Sequence, residues 1–99
     1  MQPSSKSNTC FAAVIRHGER VDHIPNYNPA DIPNEHDPSL TDFGFEQAKL
    51  TGKYLKEYFD TNGMNFDKVI IECSPFIRTM QTASQIAREL NVPTITYNF

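Results

Sequence analysis

Cys10-Phe-Ala-Ala-Val-Ile-Arg-His-Gly-Glu-Arg20 is the stretch that decides the fold. Its first six residues are nearly all apolar. An extended chain shows alternate residues on opposite faces, so Cys10–Ile15 reads as a strand buried on both sides, as in a parallel sheet. A charged cluster, Arg16 to Asp22, follows with no spacer. Lys68-Val-Ile-Ile-Glu72 repeats the pattern as a second strand, and Thr94-Ile-Thr-Tyr97 alternates as a third.

Helices separate these strands. Thr41 is placed to cap the first, with Asp42 in its opening turn and Leu40 and Phe45 as a hydrophobic staple. Gly44, Ala48 and Gly52 recur every fourth residue, continued by Leu55 and Phe59, and small residues let a helix lie close to a sheet. Glu46, Lys49, Lys53, Lys56 and Glu57 point to water, and Asn62-Gly63 ends the segment. The second helix opens with Ser74 as cap and Pro75 in the first helical position. Its stripe is Phe76, Met80, Ala83, Ala87 and Leu90, and Asn91-Val-Pro93 stops it. Strand, helix, strand, helix, strand predicts an α/β fold: a parallel sheet of about three strands with two helices joined by right-handed crossovers. Two helices cover such a sheet poorly, so an unpaired edge is expected, and it invites a protein partner or a further copy.

Residues 23–40 hold four prolines, Pro25, Pro29, Pro33 and Pro38, and read as a long loop, either a cover for the site or a mobile surface excursion. Residues 1–8 are polar and read as a disordered tail, leaving 9–99 as one domain. The chain has 99 residues, 38% of them hydrophobic, and a net charge of −3, which suits one small domain and argues against nucleic-acid binding. No apolar run is long enough to span a bilayer. The start lacks the apolar stretch of a secretory signal, so a cytoplasmic location is expected. Cys10 and Cys73 fall at opposite ends of neighbouring parallel strands, about 17 Å apart at roughly 3.3 Å per residue, too far for a disulfide.

Ligands of parallel sheets bind beyond the carboxyl ends of the strands. Three of the four arginines, Arg16, Arg20 and Arg78, converge there in an acidic chain. Guanidinium groups grip phosphate by paired hydrogen bonds, and the start of the second helix adds N–H groups and a positive dipole end. His17 among them is a candidate nucleophile toward phosphorus, and Gly18 admits the anion close to the backbone. His23 and His36 lie in the loop without metal-ligand spacing, so no metal site is expected.

These motifs resemble the histidine phosphatase (phosphoglycerate mutase-like) superfamily. Arg16-His-Gly-Glu-Arg20 is similar to its signature. Leu40-Thr-x-x-Gly44-x-x-Gln47-Ala48 resembles its first helix, and Cys73-Ser-Pro-x-x-Arg78-x-x-Gln81-Thr-Ala83 its second motif. The extended Arg16–Asp22 looks closest to the phosphatase domain of suppressor-of-T-cell-receptor-signalling proteins and their eukaryotic relatives. The resemblance implies a parallel-sheet sandwich and hydrolysis of phosphomonoesters, on a small molecule or a phosphoprotein. His17 would become a phosphohistidine, Arg16, Arg20 and Arg78 would hold the phosphate, and no cofactor would be needed. Arg20 favours phosphatases over mutases, which carry a small residue there.

The resemblance covers the first half of the family's domain. The family's second histidine has no counterpart beyond His36, and its acid after the third strand would fall past Phe99. Glu19 and Glu72 lie nearest the site in sequence, but each reads more simply as a solvent-facing or arginine-pairing carboxylate than as a substitute acid. Two readings therefore stand side by side. In one, His17 works with parts this chain does not hold. In the other, the chain is a catalytically inactive remnant or scaffold subunit that keeps a phosphate-binding pocket.

Overall fold

The computed structural model describes residues 11–31, 37–66, 68–93 and 95–97. Residues 1–8, Cys10, His36 and Phe99, with the expectations placed on them, lie outside that set. Two helices dominate: α1, Asp42–Thr61, and α2, Ile77–Leu90. Two short strands, β1 (Glu72–Cys73) and β2 (Thr96–Tyr97), pair in parallel, with Glu72 opposite Thr96 and Cys73 opposite Tyr97. The architecture is α/β, and its strands follow the helices in the expected order.

Thr41 caps α1 as its position requires, its hydroxyl accepting the Gly44 N–H at 2.9 Å. The helix ends in a Schellman motif: Gly63 takes φ +63° while Met64 N–H reaches the Phe59 carbonyl at 2.8 Å. Gly44, Ala48 and Gly52 are all buried. They do not face a sheet, however. Gly52 faces α2, where a Cβ would meet Glu89 Cβ at 2.9 Å and Ile86 Cα at 3.1 Å. Gly44 faces the backbone of Gly18 and Glu19. Small side chains here bring helix to helix and helix to loop.

The buried face of α2 is Thr82, Ala83, Ile86 and Ala87. Phe76, expected on that stripe, is 42% exposed and precedes the helix. Ser74 is not the cap, nor Pro75 the first helical residue. The helix begins at Ile77, and its N–H is taken by the Asp37 carboxylate at 2.8 Å. Ser74 instead donates its hydroxyl to Thr79 Oγ1 at 3.0 Å. Leu40, Ala48, Ala83, Ile86 and Ala87 form the core, with Pro38 fully buried beside them. Burying one side chain the size of Ile86 is worth about 1.5–3 kcal/mol.

The expected first strand is not formed. Residues 11–15 join no ladder and are exposed. Phe11, Ala13, Ile15 and His17 line a groove against the two helices, while Val14 stands fully in solvent. Of Lys68–Glu72 only Glu72 is paired, and Val69 and Ile70 are exposed. The sequence has the apolar content of strands covered on both faces, but these two helices cover one face only, and an uncovered face gives a ladder little to stabilise it.

The proline-rich loop leaves and re-enters at one place. Arg20 and Leu40 form an antiparallel bridge, with Val21 N–H on the Ser39 carbonyl at 3.0 Å and Thr41 N–H on the Glu19 carbonyl at 2.9 Å. Between these ends it makes 3-10 turns at Val21–His23 and Pro29–Asp31.

Candidate functional site

His17 sits half-buried where the 11–17 segment meets the start of α2. Its Nδ1 lies 2.8 Å from the Gly18 carbonyl oxygen. A carbonyl can only accept, so Nδ1 is the donor, and in the neutral ring the lone pair then lies on Nε2. The ring is thus held in the tautomer a nucleophile needs.

The loop after His17 is fastened on three sides. Gly18 N–H donates to Thr82 Oγ1 at 3.2 Å, and the Thr82 hydroxyl donates to the Arg78 carbonyl at 2.8 Å. Glu19 N–H donates to Gln47 Oε1 at 2.8 Å. The Glu19 carboxylate accepts the Thr41 hydroxyl at 2.8 Å, so that hydroxyl caps α1 and holds the loop together. Leu40 N–H donates to Gln81 Oε1 at 2.8 Å, which ties the far end of the excursion to α2.

The three arginines are placed differently. Arg16 is exposed. Arg20 makes a two-pronged pair with Asp22, Nε to Oδ1 at 2.9 Å and Nη2 to Oδ2 at 2.7 Å. That hydrogen bonding holds the Asp22 carboxyl below its ordinary value. Arg78 lies in the first turn of α2 with its guanidinium 4.5 Å over the Phe76 ring, and its Nε is buried without a hydrogen-bond partner among the described residues. An orphaned cationic donor at a helix start suits an anion.

Beside His17 opens a groove of about 500 Å³. Ser74, Thr79 and Thr82 are its hydroxyl-bearing wall; Ile15, Leu55, Phe59 and Ile86 are among its apolar ones. Cys73 also lines it, with burial pushing its thiol pKa up. Glu72 is exposed at the rim, and Glu19 is already engaged by Thr41. Among the described residues no three His, Cys, Asp or Glu side chains gather as a metal-ligand set, and no helix is long and apolar enough to cross a membrane.

The structure therefore brings the His17 loop and the Arg78 turn together through Thr82, and turns Arg20 toward Asp22. Sequence reasoning gave no role to Asp22, Asp37, Gln47, Gln81 or Thr82. Gln47, Gln81 and Thr82 stand inside the motifs quoted above, which was the signal for them. Asp37 had none, because its partner lies 40 residues away.

The profile of the histidine phosphatase superfamily (branch 1) matches residues 13–98. The serine/threonine-protein phosphatase Pgam5, mitochondrial, of Drosophila persimilis is 40% identical over 78 residues, 79% of this chain and 22% of the fly protein. Its counterpart in Drosophila grimshawi is 38% identical over the same length. The ubiquitin-associated and SH3 domain-containing protein A of Mus musculus is 31% identical over 106 aligned positions, 80% of this chain and 16% of the mouse protein. The chain spans about a fifth of the length of the curated relatives it matches.

Proposed function

Because the chain belongs to the histidine phosphatase superfamily (branch 1), we propose that it carries the phosphate-accepting half of a phosphomonoesterase site, within the parallel-sheet sandwich of that family. The observation that carries this reading is the His17 Nδ1 to Gly18 carbonyl bond of 2.8 Å, which makes Nε2 the lone-pair nitrogen of the neutral ring. Nε2 attacks phosphorus in line. An N–P bond forms, the ester P–O bond breaks, and the alcohol or phenol leaves with a proton taken from water or an acid. Water then cleaves the phosphohistidine to inorganic phosphate and restores the imidazole. Arg16, Arg20 and Arg78 hold the equatorial oxygens, Arg20 by exchanging its Asp22 carboxylate for the phosphate, with no metal or organic cofactor; the buried Nε of Arg78, without a hydrogen-bond partner among the described residues, supports its part in this.

The substrate class is a phosphorylated small molecule or a phosphoprotein. Aryl phosphates need no proton in the transition state, so they are expected to turn over where alkyl phosphates do not. The test is hydrolysis of p-nitrophenyl phosphate beside a simple alkyl phosphate, with trapping of acid-labile phosphate on the protein. Activity and trapped phosphate that vanish in His17→Ala support the reading; a folded chain that traps none refutes it.

A second reading has its own observation. Val14, Val69 and Ile70 stand exposed on the uncovered strand segments, as in a subunit that binds phosphate and docks on another protein without turnover. Binding of inorganic phosphate without phosphohistidine would favour it.

A further inference from the structure

We infer that Thr82 is a positioning residue for the phosphate site, resting on the reading of His17 and Arg78 given above. Thr82 is the one buried polar residue of the α2 face, at 5% exposure. A hydroxyl has one hydrogen to donate and lone pairs to accept. Thr82 spends its hydrogen on the Arg78 carbonyl, one turn back, at 2.8 Å. It accepts the Gly18 N–H at 3.2 Å. A single atom thus spans the residue after the nucleophile and the residue proposed to hold the phosphate. Gly18 also carries the carbonyl that fixes the His17 ring, so a shift of Gly18 moves that ring relative to Arg78.

Packing alone does not account for a threonine here. A β-branched residue is a weaker helix former than alanine, and a hydroxyl on a buried face must find partners. Valine has nearly the same shape and supplies neither hydrogen bond. The neighbouring loop supports already use other atoms: Glu19 is held by Gln47 and Thr41, and Leu40 by Gln81. None of them reaches the Gly18 N–H. Among the described residues, only Thr82 hydrogen-bonds the turn at His17 and Gly18 to α2.

The experiment compares the full chain with Thr82→Val, Thr82→Ser and Thr82→Ala by amide hydrogen exchange and by titration with inorganic orthovanadate, a phosphate analogue. The wild-type Gly18 amide is expected to be protected. Val and Ala variants should lose that protection while Ile86 and Ala87 keep theirs, and should bind vanadate about tenfold more weakly. Ser should restore both. Alanine, the strongest helix former, keeps α2 intact if valine disturbs it. An unprotected Gly18 amide in the wild type overturns the inference, as does unweakened vanadate binding in both Val and Ala variants. Equal weakening by Ser and Val also overturns it, because the hydroxyl would then be irrelevant. A wild-type chain that binds no vanadate instead overturns the phosphate-site reading and, with it, any use for the clamp.

Discussion

Gly18 and Gly44 meet backbone to backbone: a Cβ on Gly18 would strike the Gly44 carbonyl, and a Cβ on Gly44 would strike the Glu19 peptide. The loop behind His17 is therefore seated on the first turn of α1 at a separation only two glycines permit.

Gly44→Ala forces apart two backbones that hydrogen bonds hold in place. It should cost roughly 1–3 kcal/mol, the usual penalty of overpacking. Urea unfolding followed by circular dichroism measures it. Gly63→Ala provides the contrast, since nothing stands near Gly63 and only its positive φ is strained.

Asp37→Ala removes the one side chain on the Ile77 N–H. It should destabilise the chain by about 1 kcal/mol, as loss of a helix cap does. Ser74→Ala should cost less, because Ser74 does not cap α2. A larger loss from Ser74→Ala in the same unfolding assay would contradict the assignment.

Asp22 carries a pH dependence. Its carboxyl is held below the ordinary 3.8 by hydrogen bonds from Arg20. The stability this supplies is present above that ordinary value and lost as pH falls through the lowered one. Unfolding of wild type and Asp22→Asn should therefore differ at pH 6 and converge in strong acid. Curves that stay apart in strong acid would show another cause.

Val14→Ser should change stability by less than about 0.5 kcal/mol, since the side chain is fully exposed. Ile86→Ala, in the core, should cost about 2–5 kcal/mol. A marked loss from Val14→Ser in thermal unfolding would mean that its face is covered in solution.

What could be read from the sequence was whatever depends on near neighbours. The Thr41 cap, the Gly44-Ala48-Gly52 stripe and the Asn62-Gly63 stop each follow from residues within one or two turns. The α/β order follows from the alternation of apolar runs and helical stripes, and the family from the three motifs in sequence. What failed depends on distant groups. Cys10–Ile15 has a strand's composition, but a ladder needs a partner and two covered faces. Ser74-Pro75 satisfies the local rule for a helix start, yet Asp37 takes that place from across the chain. Thr82 is silent in the sequence because a polar residue on an apolar stripe has no pattern of its own until its two partners, Gly18 and Arg78, are in place.

The bridge between Arg20 and Leu40 separates two kinds of inheritance. Chain added or removed between those pinned ends lengthens an excursion without disturbing its base, and doubling a loop costs only about 0.6 kcal/mol. Between Asp22, which pairs with Arg20, and Asp37, which caps α2, the chain can change in length at that small cost while His17, Gly18 and α2 stay in register. Diversity is quarantined on one side of a two-residue hem.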